Sequence, residues 1–158
     1  MTSPDIISLS MFCEHARSER GGVASLIGVM PDRINLKAAA PKDKVSDADY
    51  KPALPNLAVY TRSRIPLDRE LRKGVVIQML SPSGEEVFSH QFDDEFVANS
   101  FDAARSDGKE YLILISQFGL QNFPVIDEGP FTVWVEYGGE RFFSGRLHIS
   151  LSTEDSEG

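Results

Sequence analysis

Cys13-Glu14-His15 is the cluster in this chain best suited to chemistry. On an extended strand, residues two apart share a face, so the Cys13 thiol and the His15 imidazole would point the same way. That pair suits zinc, or a thiol nucleophile with a nearby base. A structural zinc site wants four such ligands. Here Cys13 is the sole cysteine, and the histidines are His15, His90 and His148. The plainer reading is a buried, inert thiol beside a polar strand end, since free cysteine is among the most buried residue types. The Gly-x-Ser-x-Gly elbow of hydrolases, the phosphate-cradling P-loop and the His-Glu-x-x-His zinc helix are all absent.

Carboxylates gather at Asp93-Asp94-Glu95, at Asp127-Glu128 and at Asp43, Asp47 and Asp49. Calcium takes several hard oxygen ligands, and sandwich domains supply them from loops at one end. The spacing here fits no calcium loop, and a solvated acidic surface is the ordinary reading. Arg62, Arg64, Arg69, Arg72 and Lys73 form a basic run in an otherwise acidic chain. Arg62 and Arg64 share a strand face and could hold an acidic partner by bidentate contacts. Alternatively they pair with Asp68, Glu70 or a neighbouring strand's carboxylates.

The elements that must position these residues read as strands. Ile7, Leu9, Met11 and Cys13 alternate with Ser8, Ser10 and Glu14, giving a strand over 6–16 that ends in the glycine turn at Gly21-Gly22. A second strand covers 23–29, where Gly28 marks a bulge or a close backbone approach, and 33–36 resumes the run after Pro31. Strands follow at 57–65, 75–80 and 87–92, the last two joined by the turn Ser81-Pro82-Ser83-Gly84. Residues 93–107 read as a strand or a short helical turn. The nearly continuous apolar run over 111–118 predicts a central strand covered on both sides, followed by a loop over 119–129. Residues 37–55 form a long polar connection, expected to be mobile.

Phe131 to Leu151 is two alternating runs around Gly138-Gly139, a β-hairpin pattern. A two-residue loop would pair Val135 with Phe142 and mix the two faces. A three-residue loop, Tyr137-Gly138-Gly139, pairs Val133 with Phe143 and keeps odd-numbered residues together. The expectation is therefore a type I turn closed by a bulge, with Gly139 at φ > 0 and Trp134 opposite Phe142 on the outer face.

Composition bounds the function. Hydrophobic residues make up 41% and charged residues 25% of the 158, enough for one domain with its own core. The net charge of −8 argues against nucleic acid and anionic membrane surfaces as partners. A lone cysteine fits a reducing compartment, and the N-terminus shows no leader pattern. No apolar run approaches the roughly 18 residues of a membrane helix. The expected location is cytoplasmic.

The stretch Met11-Phe12-Cys13-Glu14, Gly21-Gly22, Leu26-Ile27-Gly28-Val29 resembles the opening of an uncharacterised bacterial family of small β-sandwich proteins. The Leu80 to Gly84 turn and the closing hairpin are similar to that family too. Glu14 stands where the family more often has Asp, and the 37–55 connection is longer. The resemblance implies a cytoplasmic β-sandwich and brings no activity, cofactor or catalytic residue.

The sequence thus predicts an all-β, two-sheet antiparallel sandwich of about eight strands, immunoglobulin-like or C2-like, with a closed barrel as the competing architecture. Residues 1–4 are expected to be a loose N-terminus, 5–151 the domain and 152–158 an acidic disordered tail. The leading function is a non-catalytic binding or accessory module that recognises a protein partner. Its interaction surface would comprise Trp134, Phe142, Arg62 and Arg64, with no cofactor, metal or catalytic residue. An exposed edge strand leaves room for a homodimer. The alternatives are a metal- or thiol-dependent enzyme centred on Cys13 and His15, and a calcium- or carbohydrate-binding sandwich.

Overall fold

The computed structural model describes residues 5–38, 52–69, 71 and 73–153. These form two packed sheets. The first has the order β2-β1-β4-β7, built from β1 (Ile7–Ser18), β2 (Ala24–Val29), β4 (Ala53–Pro66) and β7 (Tyr111–Pro124). The second has the order β3-β9-β8-β5-β6, from β3 (Arg33–Ala38), β5 (Val76–Leu80), β6 (Glu86–Gln91), β8 (Gly129–Tyr137) and β9 (Glu140–Thr153). The architecture is an all-β sandwich. One pair departs from the antiparallel expectation: β3 runs parallel to β9, with Arg33 opposite His148.

Local chemistry explains several joints. The β5–β6 turn closes as its residues suggest, with the Gly84 amide donating to the Ser81 carbonyl at 2.9 Å and Gly84 at φ +89°. Residues 93–107 resolve into a helix, α1 (Asp94–Ser106). Asp93 caps it by accepting from the Phe96 amide at 2.9 Å, and Asp94 and Glu95 sit in the first turn, where negative charge suits the helix dipole. Val97, Phe101 and Ala104 are buried at the i, i+4, i+7 spacing that anchors one helical face.

Several expectations are corrected. First, the run over 111–118 is not a central strand: β7 lies at the edge of the first sheet, burying Leu112, Leu114 and Ser116 while Ile113 and Ile115 face water. Second, β7 continues through Pro124, so much of the expected loop over 119–129 is strand. Third, the polar connection is shorter than 37–55, because Lys37 and Ala38 belong to β3 and Ala53 to Pro55 belong to β4. The intervening 39–51, with Asp43, Asp47 and Asp49, lies outside the described residues, as do 1–4 and 154–158. Ser152 and Thr153, assigned to the tail, complete β9.

The fourth correction concerns the closing hairpin. Tyr137 pairs with Glu140 across a two-residue turn, Gly138 and Gly139, both at positive φ (61° and 82°). Val135 therefore faces Phe142 and Trp134 faces Phe143. The parity problem is solved further down the strand: the register shifts by one beyond Trp134, so that Val133 pairs with Gly145 and Ser144 becomes the extra residue. From there Phe131, Leu147 and Ile149 return to the core, all 2% exposed or less.

The bulged Ser144 fastens the two sheets. Its hydroxyl bonds those of Ser8 and Ser10, both at 2.7 Å; Ser8 bonds Ser63 at 2.9 Å, and Ser10 bonds Thr61 at 2.8 Å. Five hydroxyls are thereby joined by four hydrogen bonds, each consuming one hydroxyl proton, so none of the five is left unbonded in the interior. Only small side chains fit, since β9 crosses β1 with Gly145 against Ser10: a Cβ on Gly145 would lie 2.9 Å from the Ser10 Cβ and 3.0 Å from its carbonyl oxygen. Serines therefore point inward along β1, and the alternating Ile7 and Leu9 point to solvent. A half-buried antiparallel strand ordinarily does the opposite.

Candidate interaction surface

This inversion builds the surface of interest. Strand register aligns three rungs across β1, β4 and β7: Ile7–Arg64–Ile113, Leu9–Arg62–Ile115 and Met11–Tyr60–Gln117. Ile7 and Leu9 are 54% and 58% exposed, and Ile113 and Ile115 are 37% and 41% exposed. Ile27 and Val29 on β2 extend the apolar area, both half-exposed. The outer face of the first sheet thus carries two apolar stripes with two arginines between them.

Arg62 and Arg64 share a face, as their spacing requires. Their flanks are apolar on both neighbouring strands, and among the described residues neither forms an ion pair with a carboxylate. The Arg64 guanidinium lies 4.3 Å from the centroid of the Tyr111 ring, and its Nε is enclosed without a hydrogen-bond partner. Arg69, by contrast, is committed. It pairs with Asp5 at 3.5 Å and Glu140 at 3.3 Å and stacks over Phe142 at 5.8 Å. Arg72 and Glu70 lie outside the described residues.

Trp134 stands on the outer face of the second sheet, its Nε1 donating to the Thr132 hydroxyl at 2.9 Å. Its aromatic neighbour is Phe143, edge to face at 5.5 Å between centroids. Phe142 does not belong to this surface. The two-residue turn puts it opposite Val135, partly buried against the core and beneath Arg69. Phe143 takes the place expected of Phe142 and is 53% exposed.

Cys13 and several of the clustered carboxylates have structural partners. Cys13 is fully buried opposite Ala58 and Val29, with its Sγ 3.7 Å from the Ala58 carbonyl oxygen. Burial pushes its thiol pKa above the ordinary range, the opposite of what an activated nucleophile needs. His90 lies on β6 and His148 on β9, in the sheet opposite His15. Among the described residues no three His, Cys, Asp or Glu side chains gather as metal ligands. Of the acidic clusters, Asp93 caps α1, Asp94 accepts from the Gly74 amide at 2.9 Å, and Glu128 accepts from the Leu151 amide. None of the helices in the described residues is long and apolar enough to cross a membrane.

The state of Cys13 has a measurable consequence. Because the folded protein holds the thiol proton more tightly, the unfolded chain ionises first, near pH 8.5. The stability Cys13 contributes is complete below about that pH and is lost as pH rises from there through the higher folded pKa. In neutral native buffer, labelling by a thiol reagent should proceed only as fast as the protein opens, and become immediate in urea. Prompt stoichiometric labelling of the native protein would refute the buried, protonated thiol.

Comparison with family models, curated proteins and solved structures finds no match. The functional reading therefore rests on the surface itself. Sequence inspection found the arginines and missed their flanks, Ile7, Leu9, Ile113 and Ile115. The signal that could have found them is the pair of inward-facing hydroxyl runs, Ser8 and Ser10 against Thr61 and Ser63, which together set the phase of both strands.

Proposed function

We propose that this chain is a non-catalytic protein-interaction module whose docking surface is the outer face of the four-stranded sheet, and that its partner presents acidic side chains among apolar ones. One observation carries the reading: Arg62 and Arg64 stand between exposed apolar stripes with no carboxylate paired to them among the described residues. Contiguous exposed apolar area on a soluble domain marks an interaction site more often than it marks nothing. An acidic partner would supply the missing counter-charges, and hydrogen-bonded pairs of arginine with carboxylate are among the stronger polar contacts.

The experiment compares three folded proteins as baits in a cell extract: wild type, Arg62→Glu with Arg64→Glu, and Trp134→Ser with Phe143→Ser. A partner retained by wild type and by the aromatic variant, lost with the charge-reversed variant and released by raised salt, is the expected result. Loss with the aromatic variant alone would move the site to the second sheet and overturn this assignment.

A further inference from the structure

Among the described residues the sandwich has four sheet edges, and three are protected against pairing with another strand. β2 is six residues long and carries Gly28 at φ +67°, against which the Glu14 side chain packs. β3 is equally short and bears Arg33 and Lys37. β6 begins with Glu86, and its pairing with β5 is broken by a register shift. Short strands, charges and irregularities are the ordinary means by which proteins blunt an edge. β7 is long and uncharged, and its irregularity, Asn122 at φ +50° with a gap in its pairing to β4, is confined to its last three residues. It runs fourteen residues, Tyr-Leu-Ile-Leu-Ile-Ser-Gln-Phe-Gly-Leu-Gln-Asn-Phe-Pro, with no charged residue and no proline before Pro124. Among the described residues its pairing is with β4 alone.

A second observation lies beside it. Phe88 of β6 meets Phe118 of β7 edge to face at the open side of the sandwich. Both rings are only partly covered, and a groove lined by Phe88, His90, Ile115 and Phe118 runs between the two strands.

We propose that β7 is the seam of a homodimer, in which two copies pair this strand antiparallel across a twofold axis and join their four-stranded sheets into one of eight. A twofold contact sets the same patch against itself, so it must be self-compatible. Between two copies each carrying −8, an uncharged strand is where backbones can meet without like charges opposing one another. Arg62 and Arg64 sit one strand in, so the two β4 strands are three strand spacings apart, about 14 Å, beyond the screening length at physiological salt. The seam and the docking face proposed above share β7: the seam uses the strand's free backbone edge, and the docking face uses its outward side chains Ile113 and Ile115.

Analytical ultracentrifugation of the full chain over a wide concentration range tests it, using Gln117→Lys with Gly119→Lys as the seam variant. Gly119 is exposed, and no atom lies within 4 Å of the position a Cβ would take, so the lysines load the edge without disturbing the fold. The wild type is expected to dimerise and the lysine variant to associate at least tenfold more weakly. Arg62→Glu with Arg64→Glu should dimerise like wild type even where it loses the acidic partner. Hydrogen exchange of the wild type needs no variant: amides of 113–121 should exchange faster on dilution. A wild type that stays monomeric at every concentration, a lysine variant that dimerises normally, or exchange in 113–121 that ignores concentration would each overturn the proposal.

Discussion

Replacing Phe101 with alanine is expected to cost about 3–5 kcal/mol of stability, the largest loss from any single truncation on the helix. Phe101 is fully buried and, with Val97 and Ala104, holds α1 to the core. The ring has no route to solvent, and the helix is capped at Asp93 and turned at Gly108, so a cavity left by Phe101→Ala cannot close by simple sliding. Arg105 lies over the same ring at 5.6 Å and would lose that contact too. Phe96 supplies the control: it is on the same helix, 55% exposed, and Phe96→Ala should change stability by less than about 0.5 kcal/mol. Urea unfolding of both variants decides the matter. Equal midpoints would mean that α1 is not docked through Phe101.

Gly145→Val should destabilise the protein by roughly 3 kcal/mol, through crowding rather than loss of contacts. The new Cβ would press on the Ser10 Cβ and on its backbone carbonyl, and the carbonyl belongs to a strand paired on both sides. Relief requires the sheets to part at the point where Ser144 binds Ser8 and Ser10, so the hydroxyl chain is broken as well. For a domain of this size, that loss lowers the melting temperature by about 6–12 °C. Adding Ser10→Gly removes the side-chain overlap but not the carbonyl overlap, so it should restore only part of the loss. Full tolerance of valine at 145 would show that β1 and β9 are not held this closely.

Most strands were legible because alternation and glycine-bearing turns are local signals. The β5–β6 hairpin followed from Ser81-Pro82-Ser83-Gly84 alone. What escaped depended on distant partners. The rule that Val133 and Leu147 must share a face was sound, but a turn of three residues and a bulge at Ser144 both satisfy it; the bulge prevailed, with Gly138 and Gly139 both free to adopt positive φ. That one-residue difference exchanged Phe142 for Phe143 at the surface. β7 misled for a related reason, since an apolar run shows hydrophobicity on two sides without showing whether anything covers the second. Arg62 and Arg64 were found from charge and spacing, but Ile7 and Leu9 are placed beside them by serines that face inward to bond Ser144, which lies 136 residues beyond Ser8 along the chain.

The joining of β3 to β9 also governs when this protein can fold. Emerging from a ribosome, β3 would find no strand to pair with until β9 arrives, and the same late strand delivers Ser144 to serines made at the beginning. Early hairpins such as β1–β2 and β5–β6 can form as they appear and add β4 and β8 in turn, yet β3 stays apart until β9 is threaded between it and β8. Contacts so remote in sequence place the chain among the slow folders, on the scale of milliseconds to seconds. Throughout that interval the uncharged edge of β7 stands ready for a strand from any neighbouring nascent chain. Such a protein would be sensitive to crowding during synthesis in a way its finished form is not.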